Sequence, residues 1–154
     1  MSTFTNLLFH IIYSTKYRKP TIHLDWRDDL FGYIGGIVRE QKGTLLKIGG
    51  VVDHVLLLAK LGPTIAISDV LRKIKSNSSK WINERSNVSR KFEWQSGYAA
   101  FSVSESQAPA VTEYITHQAE HHRKMSFEEE FLAILKKHKI EYDRRYVFDR
   151  EIIE

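Results

Sequence analysis

Short apolar runs and segments of helical periodicity alternate along most of this chain in one order. Apolar runs typical of strands occupy residues 6–13, 44–48, 51–61 and 98–104. Segments with apolar residues at helical spacing lie between them, at 25–41 and from Ser68 or Asp69 onward. The order β-α-β-β-α-β predicts an α+β, ferredoxin-like fold, in which an antiparallel sheet carries these helices on one face and leaves the other face available.

Glycines mark two of the predicted boundaries. Gly49-Gly50 separates the second and third strands and suits a two-residue hairpin turn with positive φ, so these strands should pair antiparallel. Gly43 follows the first helix and is predicted to be its C-cap.

The C-terminal third predicts further helices. One runs from about Gln107 to Lys124, and its apolar stripe is expected to pack on the sheet. The residues of that stripe are Ala108, Val111, Ile115, Ala119 and His122. Ser126 and Glu129 form a capping box for a last helix, which precedes a charged tail. We expect residues 1–154 to form one domain, with a core at about 4–124 and a C-terminal helix and tail at 126–154.

Composition excludes several classes of function. The chain has no cysteine, which excludes disulfides, thiolate catalysis and zinc–thiolate sites. It has neither an apolar run of membrane-spanning length nor a signal peptide, so we expect no membrane association and a cytoplasmic location. A glycine-rich phosphate loop is absent as well, which argues against a nucleotide cofactor.

Basic residues concentrate in one stretch of the chain. The totals are 23 Lys or Arg against 19 Asp or Glu. Residues 72–91 contain seven basic residues and one acid, and a second basic group follows the first strand. The stretch at 72–91 is a candidate surface for a polyanion, although a basic run is also typical of a solvated helix face.

The third predicted strand carries one histidine in an otherwise apolar sequence, VVDHVLLLAKL. Strand alternation places His54, Leu56 and Leu58 on the same face. Such a histidine is either a core residue whose nitrogens are satisfied by a neighbour such as Asp53, or part of a functional site.

A second group of polar residues lies in TEYITHQAEHH, residues 112–122. Tyr114 and Gln118 are four residues apart, so a hydroxyl nucleophile and a potential oxygen ligand share one side of a helix. The alternatives are an aromatic packing residue beside a solvated polar face, or a transition-metal pair formed by His117 and His121.

Several blocks in order resemble the single-tyrosine HUH transposases of bacterial insertion sequences, especially the branch associated with repetitive extragenic palindromes. The resemblance covers nearly the whole chain. It runs through FHIIYSTKYRKP, GGVVDHVLLL, DVLRKIKSNSSKWINE, FEWQSGYAAFSVS, YITHQAEHHRKMSFEEEF and KKHKIEYDRRYVF.

The resemblance implies a bacterial protein that cleaves and rejoins hairpin-forming single-stranded DNA as a homodimer. By residue it implies Tyr114 as the nucleophile that forms a 5′-phosphotyrosine, and His54 and Gln118 as ligands of Mg²⁺ or Mn²⁺. The residues expected to contact DNA are Arg72, Lys73, Lys75, Lys80, Lys16 and Arg18. Trp94 and Tyr98 either stack on unpaired bases or belong to an aromatic core cluster.

One residue departs from the family pattern. The family carries His-hydrophobic-His on this strand, and Leu56 stands in the place of the second histidine. The resemblance therefore implies a weakened metal site, in which water or His117 is a possible substitute ligand. Two other readings remain open, a relative that binds hairpin DNA without cutting it and an unrelated ferredoxin-like domain that binds RNA.

Overall fold

One antiparallel sheet forms the centre of the protein. The computed structural model describes residues 1–85 and 91–148, with the backbone alone for residues 121–123. The strands are β1 Leu7–Ser14, β2 Thr44–Gly50, β3 His54–Leu61 and β4 Ala99–Val103, in the spatial order β2-β3-β1-β4. All neighbouring strands pair antiparallel. The predicted ferredoxin-like α+β fold is confirmed.

Helices cover both faces of this sheet. Their bounds are α1 Leu24–Glu40, α2 Ile67–Arg85, α3 Ala108–Thr116, α4 Gln118–Lys124 and α5 Phe127–Lys137. The first two helices pack on one face, where Leu30, Ile34 and Leu71 join the larger core. On the other face, Ile115 of α3 and Leu135 of α5 join a second core. The face that the β-α-β-β-α-β unit leaves available is thus covered by the C-terminal helices.

Strand β3 contributes to both cores, which explains its nearly continuous apolar sequence. Val55 and Leu57 face the first core, whereas Leu56 and Leu58 face the second. His54 is the first residue of the strand and lies at the end of the sheet where the chain turns in from β2. The predicted alternation is confirmed, and the sheet face that carries His54 is the one that α3 and α5 cover.

The predicted turn at Gly49-Gly50 is wrong. Both glycines lie within β2, where Gly49 pairs with Leu56 and Gly50 with Val55, and neither has a positive φ. The chain reverses over residues 51–53 instead. Gly49 is needed for space, because a Cβ atom there would lie 2.6 Å from the carbonyl oxygen of Ile115.

The C-cap assignment of Gly43 is also wrong, because the residue with left-handed backbone after α1 is Lys42, with φ 63°. The capping box is confirmed at the start of α5, where the Ser126 hydroxyl accepts a hydrogen bond from the Glu129 amide and donates one to its carboxylate. After α5 the tail returns to the second core, and Phe148 packs against Phe127.

The single helix expected at 107–124 is two helices. Helix α3 ends at Thr116, His117 has ψ 26°, and α4 begins at Gln118. The predicted stripe fails after Ile115, where the helix is interrupted. Ala119 is exposed, and Gln118 is buried in its place. The side chain of His122, also assigned to that stripe, lies outside the described part.

Among the described residues, no helix combines the length and the apolar character that crossing a bilayer requires.

The contact between Gly49 and Ile115 predicts that replacing Gly49 by alanine will destabilise the protein, whereas the same change at Gly32 will not. Gly49→Ala should lower the free energy of unfolding by about 1–3 kcal/mol, because backbone of α3 must move away. Gly32→Ala is the matched control, since nothing lies within 4 Å of a Cβ in this exposed helical position. It should be neutral or stabilising by up to about 1 kcal/mol. Urea unfolding of both variants measures the difference, and equal responses would contradict the close approach.

Candidate functional site

His54 is buried at the start of β3 with both ring nitrogens directed at polar neighbours. Its exposed fraction is 0%, and Nδ1 lies 2.7 Å from Oδ1 of Asp53. Because a carboxylate only accepts hydrogen bonds, the proton of a neutral imidazole belongs on Nδ1. The Nε2 atom then carries a lone pair, and it faces α4.

Gln118 supplies the atom that His54 faces. It is 2% exposed, and its amide nitrogen donates a hydrogen bond to the backbone oxygen of Tyr114 at 3.3 Å. That bond turns Oε1 toward Nε2 of His54, at 3.4 Å. Two lone-pair atoms therefore approach each other in the neutral state, which is the arrangement that a shared cation or proton satisfies. An imidazole nitrogen and an amide oxygen are both ordinary ligands of divalent metals.

Tyr114 lies one helical turn before Gln118, and its hydroxyl contacts helix α5. The half-buried phenol donates a hydrogen bond to Oε1 of Glu130 in α5. Burial raises the pKa of Tyr114 most, and the hydrogen bond to Glu130 and its negative charge raise the pKa further. A hydrogen bond with Gln118 acts in the opposite direction. The phenol is therefore held protonated in this state.

Helix α5 adds two residues to the site that the sequence reasoning did not identify. The Phe127 ring stacks on His54 with the ring centres 4.2 Å apart, and Glu130 receives the Tyr114 hydroxyl. The capping box predicts where α5 begins, but no periodicity indicates that the helix lies over the histidine. These contacts depend on tertiary packing alone.

A cavity of about 660 Å³ adjoins Tyr114 and Glu130 between the sheet and α5. His10 of β1 also lines it, with its ring centre 6.2 Å from that of Tyr114. Burial, and secondarily the positive charge of His138, lowers the pKa of His10 from 6.5 to about 4. Within the described part of the chain, Nε2 of His10 has no hydrogen-bond partner. The sequence reasoning missed His10, because a single histidine in a strand gives no signal of its own.

Leu56 and His117 occupy different environments. The sequence has Leu56 where the family pattern has a second histidine ligand, and His117 is a candidate substitute for that ligand. Leu56 is 0% exposed and belongs to the second core. His117 is exposed at the junction of α3 and α4, where its Nδ1 donates to the backbone oxygen of Glu113 at 2.8 Å. Gln118 is thus the residue that turns inward at this junction. The side chain of His121, proposed as a metal partner of His117, lies outside the described part.

Comparisons with known proteins give this site a family. The family profile described as "Transposase IS200 like" matches residues 3–118, which include His54, Tyr114 and Gln118. The chain belongs to the IS200-like transposase family. Its curated relatives include the transposases for insertion sequence element IS200 of Salmonella typhimurium LT2 and Salmonella typhi. Each is 24% identical over 121 residues, which cover 75% of this chain and 78% of the relative.

Solved structures with the same fold include two proteins of this kind. A candidate transposase from Deinococcus radiodurans R1 is 23% identical, covers 77% of this chain and 95% of its own, and has a TM-score of 0.61. A REP-associated tyrosine transposase bound to a REP hairpin is 13% identical, covers 100% of this chain and 99% of its own, and has a TM-score of 0.62.

On the surface of this transposase, two of the predicted basic groups meet. Lys16, which follows β1, and Lys75 of α2 line one groove of about 350 Å³, together with Lys91. Glu93 partly neutralises the groove, since it pairs with Lys16 at 3.2 Å and with Lys91 at 3.9 Å. Lys75 donates to the backbone oxygen of Gln95 at 3.0 Å. The sequence reasoning did not identify the pairing of these two regions.

The remaining predicted basic residues differ in their surroundings. Arg72 and Lys80 are exposed on α2, where they make loose contacts within their own helix, to Asp69 at 3.6 Å and Glu84 at 3.9 Å respectively. Lys73 donates to Gln41 Oε1 at 3.2 Å. Arg18 pairs with Glu128 of α5 and lies over the ring of Phe148, so it links the basic turn to the C-terminal helix.

Ser78 and Tyr98 lie near this surface in different environments. Ser78 is 0% exposed, donates to the Ile74 backbone oxygen and accepts from Trp94 Nε1. Trp94 is accordingly a core residue, as the aromatic-cluster reading predicts. Tyr98 is 40% exposed, so its assignment to that cluster is wrong.

The buried neutral His10 predicts a specific pH dependence of stability. Its folded-state pKa of about 4 lies below the ordinary 6.5, so the folded protein binds fewer protons between these values. The contribution of neutral His10 to the free energy of unfolding is complete above pH 6.5 and is lost as the pH falls to 4. Wild type should lose about 3 kcal/mol more over this range than His10→Gln. Urea unfolding at pH 7 and pH 4 measures this, with His117→Gln as the exposed control. Equal losses in wild type and His10→Gln would contradict it.

Proposed function

We propose that this transposase binds hairpin-forming single-stranded DNA and cleaves and rejoins it through a 5′-phosphotyrosine at Tyr114. One observation carries the proposal: Tyr114, Gln118 and His54 form a continuous row of polar contacts within a single chain. A hydroxyl nucleophile thereby lies beside two potential metal ligands. The solved relative of the same fold that is bound to a REP hairpin supports the choice of DNA.

The residues of this chain fit a hard divalent cation, Mg²⁺ or Mn²⁺. We infer that Nε2 of His54 and Oε1 of Gln118 would hold it, since both present lone pairs to the same space. Water would complete the coordination, as is usual for Mg²⁺. When bound, the cation would supply Lewis-acid polarisation of the scissile phosphate.

The protein groups have separate tasks in this proposal. Asp53 keeps the proton on Nδ1 of His54 and thus keeps Nε2 available. Tyr114 Oη attacks phosphorus, the bond from phosphorus to the 3′ oxygen breaks, and the released strand ends in a 3′-hydroxyl. The phosphotyrosine retains a phosphodiester bond, so rejoining to another 3′-hydroxyl needs no further energy source.

Leu56 makes a second function possible, namely hairpin binding without cleavage. Leucine offers no lone pair, and its complete burial in the second core leaves apolar packing where the family pattern has a ligand. Losing even an outer-shell partner typically costs about 10- to 100-fold in metal affinity or activity. We therefore propose a transposase with weak metal binding and slow cleavage, and the binding-only protein is the alternative.

For DNA contact we propose the exposed face of α2 and the groove beside it. Arg72 and Lys80 are exposed, and Lys16 and Lys75 line the groove, so all four can approach phosphates from one side of α2. Lys73 and Arg18 complete the proposed set. We further propose a cytoplasmic homodimer, on the resemblance alone. Because Tyr114 lies near His54 within one chain, each subunit of such a dimer would contain both of these residues of its own site.

Covalent capture tests the reaction. With Mn²⁺ and a labelled palindromic single strand, wild type should form a protein–DNA adduct that resists boiling in detergent. Tyr114→Phe should abolish the adduct and leave hairpin binding within about twofold, because only the nucleophilic oxygen is lost. His54→Ala and Gln118→Ala should lower the rate by at least about 10-fold. If wild type binds the hairpin but forms no adduct with Mn²⁺, the binding-only function is correct.

The same assay tests the effect of having Leu56 where the family pattern has a second histidine ligand. Leu56→His should raise both Mn²⁺ affinity and adduct formation. Leu58→His is its matched control, because Leu58 is equally buried in the same core but lies two residues farther from His54. No gain from Leu56→His over Leu58→His would count against the metal site.

Salt dependence tests the DNA surface. Arg72→Ala and Lys80→Ala should each weaken hairpin binding for all sequences alike and reduce the slope of log affinity against log salt by about 1. Lys60→Ala is the charge-matched control, since Lys60 is exposed on β3 at the end of the strand opposite His54. A loss in Lys60→Ala as large as in the α2 variants would contradict the proposed surface.

A further inference from the structure

Glu130 is buried, although an acidic residue in the first turn of a helix is usually exposed to solvent. It belongs to the acidic first turn of α5, whose two other acids have clear partners. Glu128 pairs with Arg18, and Glu129 closes the capping box with Ser126. Glu130 instead turns inward, is 6% exposed and accepts the hydrogen bond of the Tyr114 hydroxyl. A glutamate is rarely buried without a specific partner, and this partner is the proposed nucleophile.

We propose that Glu130 is a catalytic residue that accepts the proton of Tyr114 during strand cleavage and returns it during strand joining. The inference rests on the proposed function and deepens it, because it names an acceptor for the phenol proton. In cleavage, the bond between Tyr114 Oη and phosphorus forms as the bond to the 3′ oxygen breaks. The phenol proton passes to Glu130, and the departing 3′ oxygen takes a proton from water.

Joining is the same step in reverse. The incoming 3′-hydroxyl attacks phosphorus and gives its proton to a solvent hydroxide, which regenerates the water used in cleavage. The bond from phosphorus to Tyr114 Oη breaks, and the proton on Glu130 returns to the phenolate oxygen. One carboxyl group thus serves as base in one direction and acid in the other. This suits a reaction in which the tyrosine is nucleophile first and leaving group second.

The neighbouring groups are poorer acceptors. The amide of Gln118 does not take up a proton at ordinary pH, and His54 is committed through its two nitrogens to Asp53 and Gln118. The ring centre of His10 is 6.2 Å from that of Tyr114 and approaches edge-on. Glu130 accepts the hydrogen bond that the Tyr114 hydroxyl donates, which is the geometric requirement for a general base.

The position of Glu130 also gives the reaction room. Tyr114 and Glu130 both line the cavity of about 660 Å³ between β4, α3 and α5. A phosphodiester that enters this cavity can approach the phenol oxygen while its O–H is directed toward the carboxylate. In the resting state the proton stays on the phenol, and it moves to Glu130 only as negative charge moves from the phenol oxygen to the phosphoryl group.

The test compares Glu130→Gln with Glu129→Gln. The second variant is the control, because it removes the same charge from the neighbouring residue, which is exposed. In single-turnover adduct formation with Mn²⁺ and a hairpin substrate, Glu130→Gln should be about 100- to 10,000-fold slower than wild type. Hairpin binding and the urea midpoint should stay close to wild type. Glu129→Gln should form adduct within about twofold of wild type, and Glu130→Asp should recover part of the rate.

A second measurement separates a chemical role from a structural one. Replacing Tyr114 by 3-fluorotyrosine makes the phenol more acidic, so it needs less help from a base. The rate deficit of Glu130→Gln should then shrink. An equal deficit with tyrosine and fluorotyrosine, or a normal rate in Glu130→Gln, overturns the inference while wild-type cleavage leaves the proposed function intact. Absence of adduct from wild type would overturn both.

Discussion

The packing of the C-terminal helices on the second face of the sheet is the constraint on which the site depends. Ile115 of α3 approaches β2 so closely that only glycine fits at position 49. Phe127 of α5 stacks on His54 at the end of β3. These two contacts hold α3, α4 and α5 at fixed distances from the strand that carries the histidine. Without them, Tyr114, Gln118 and His54 would be separate features of separate elements.

The consequence is a row of polar groups, of which His54, Gln118 and Glu130 are buried. It runs from Asp53 through His54, Gln118 and Tyr114 to Glu130. Buried polar groups are costly unless each has a partner, and in a surrounding of low polarity their contacts are strong and directional. The row therefore fixes the orientation of each side chain more firmly than an exposed cluster would. That fixed orientation is what the proposed nucleophile and the proposed metal ligands require.

Residues of β3 show how far sequence reasoning reaches. Strict alternation along the strand predicts correctly that His54, Leu56 and Leu58 share a face, because the period of a strand is set by its backbone. The same kind of reasoning fails at Gly49-Gly50, where a dipeptide suited to a turn is needed instead for the close approach of α3. It fails again at the junction of α3 and α4, where the helix is interrupted at His117, Gln118 is buried and Ala119 is exposed.

The order of strands and helices, the faces of β3, the start of α5 and the spacing of Tyr114 and Gln118 follow from the sequence by itself, since they are local and periodic. The meeting of Lys16 with Lys75, the stacking of Phe127 on His54 and the burial of Glu130 against Tyr114 were decided only by the tertiary structure. Each of these joins residues distant in the chain, and such contacts depend on how whole helices pack on the sheet, which no local pattern encodes.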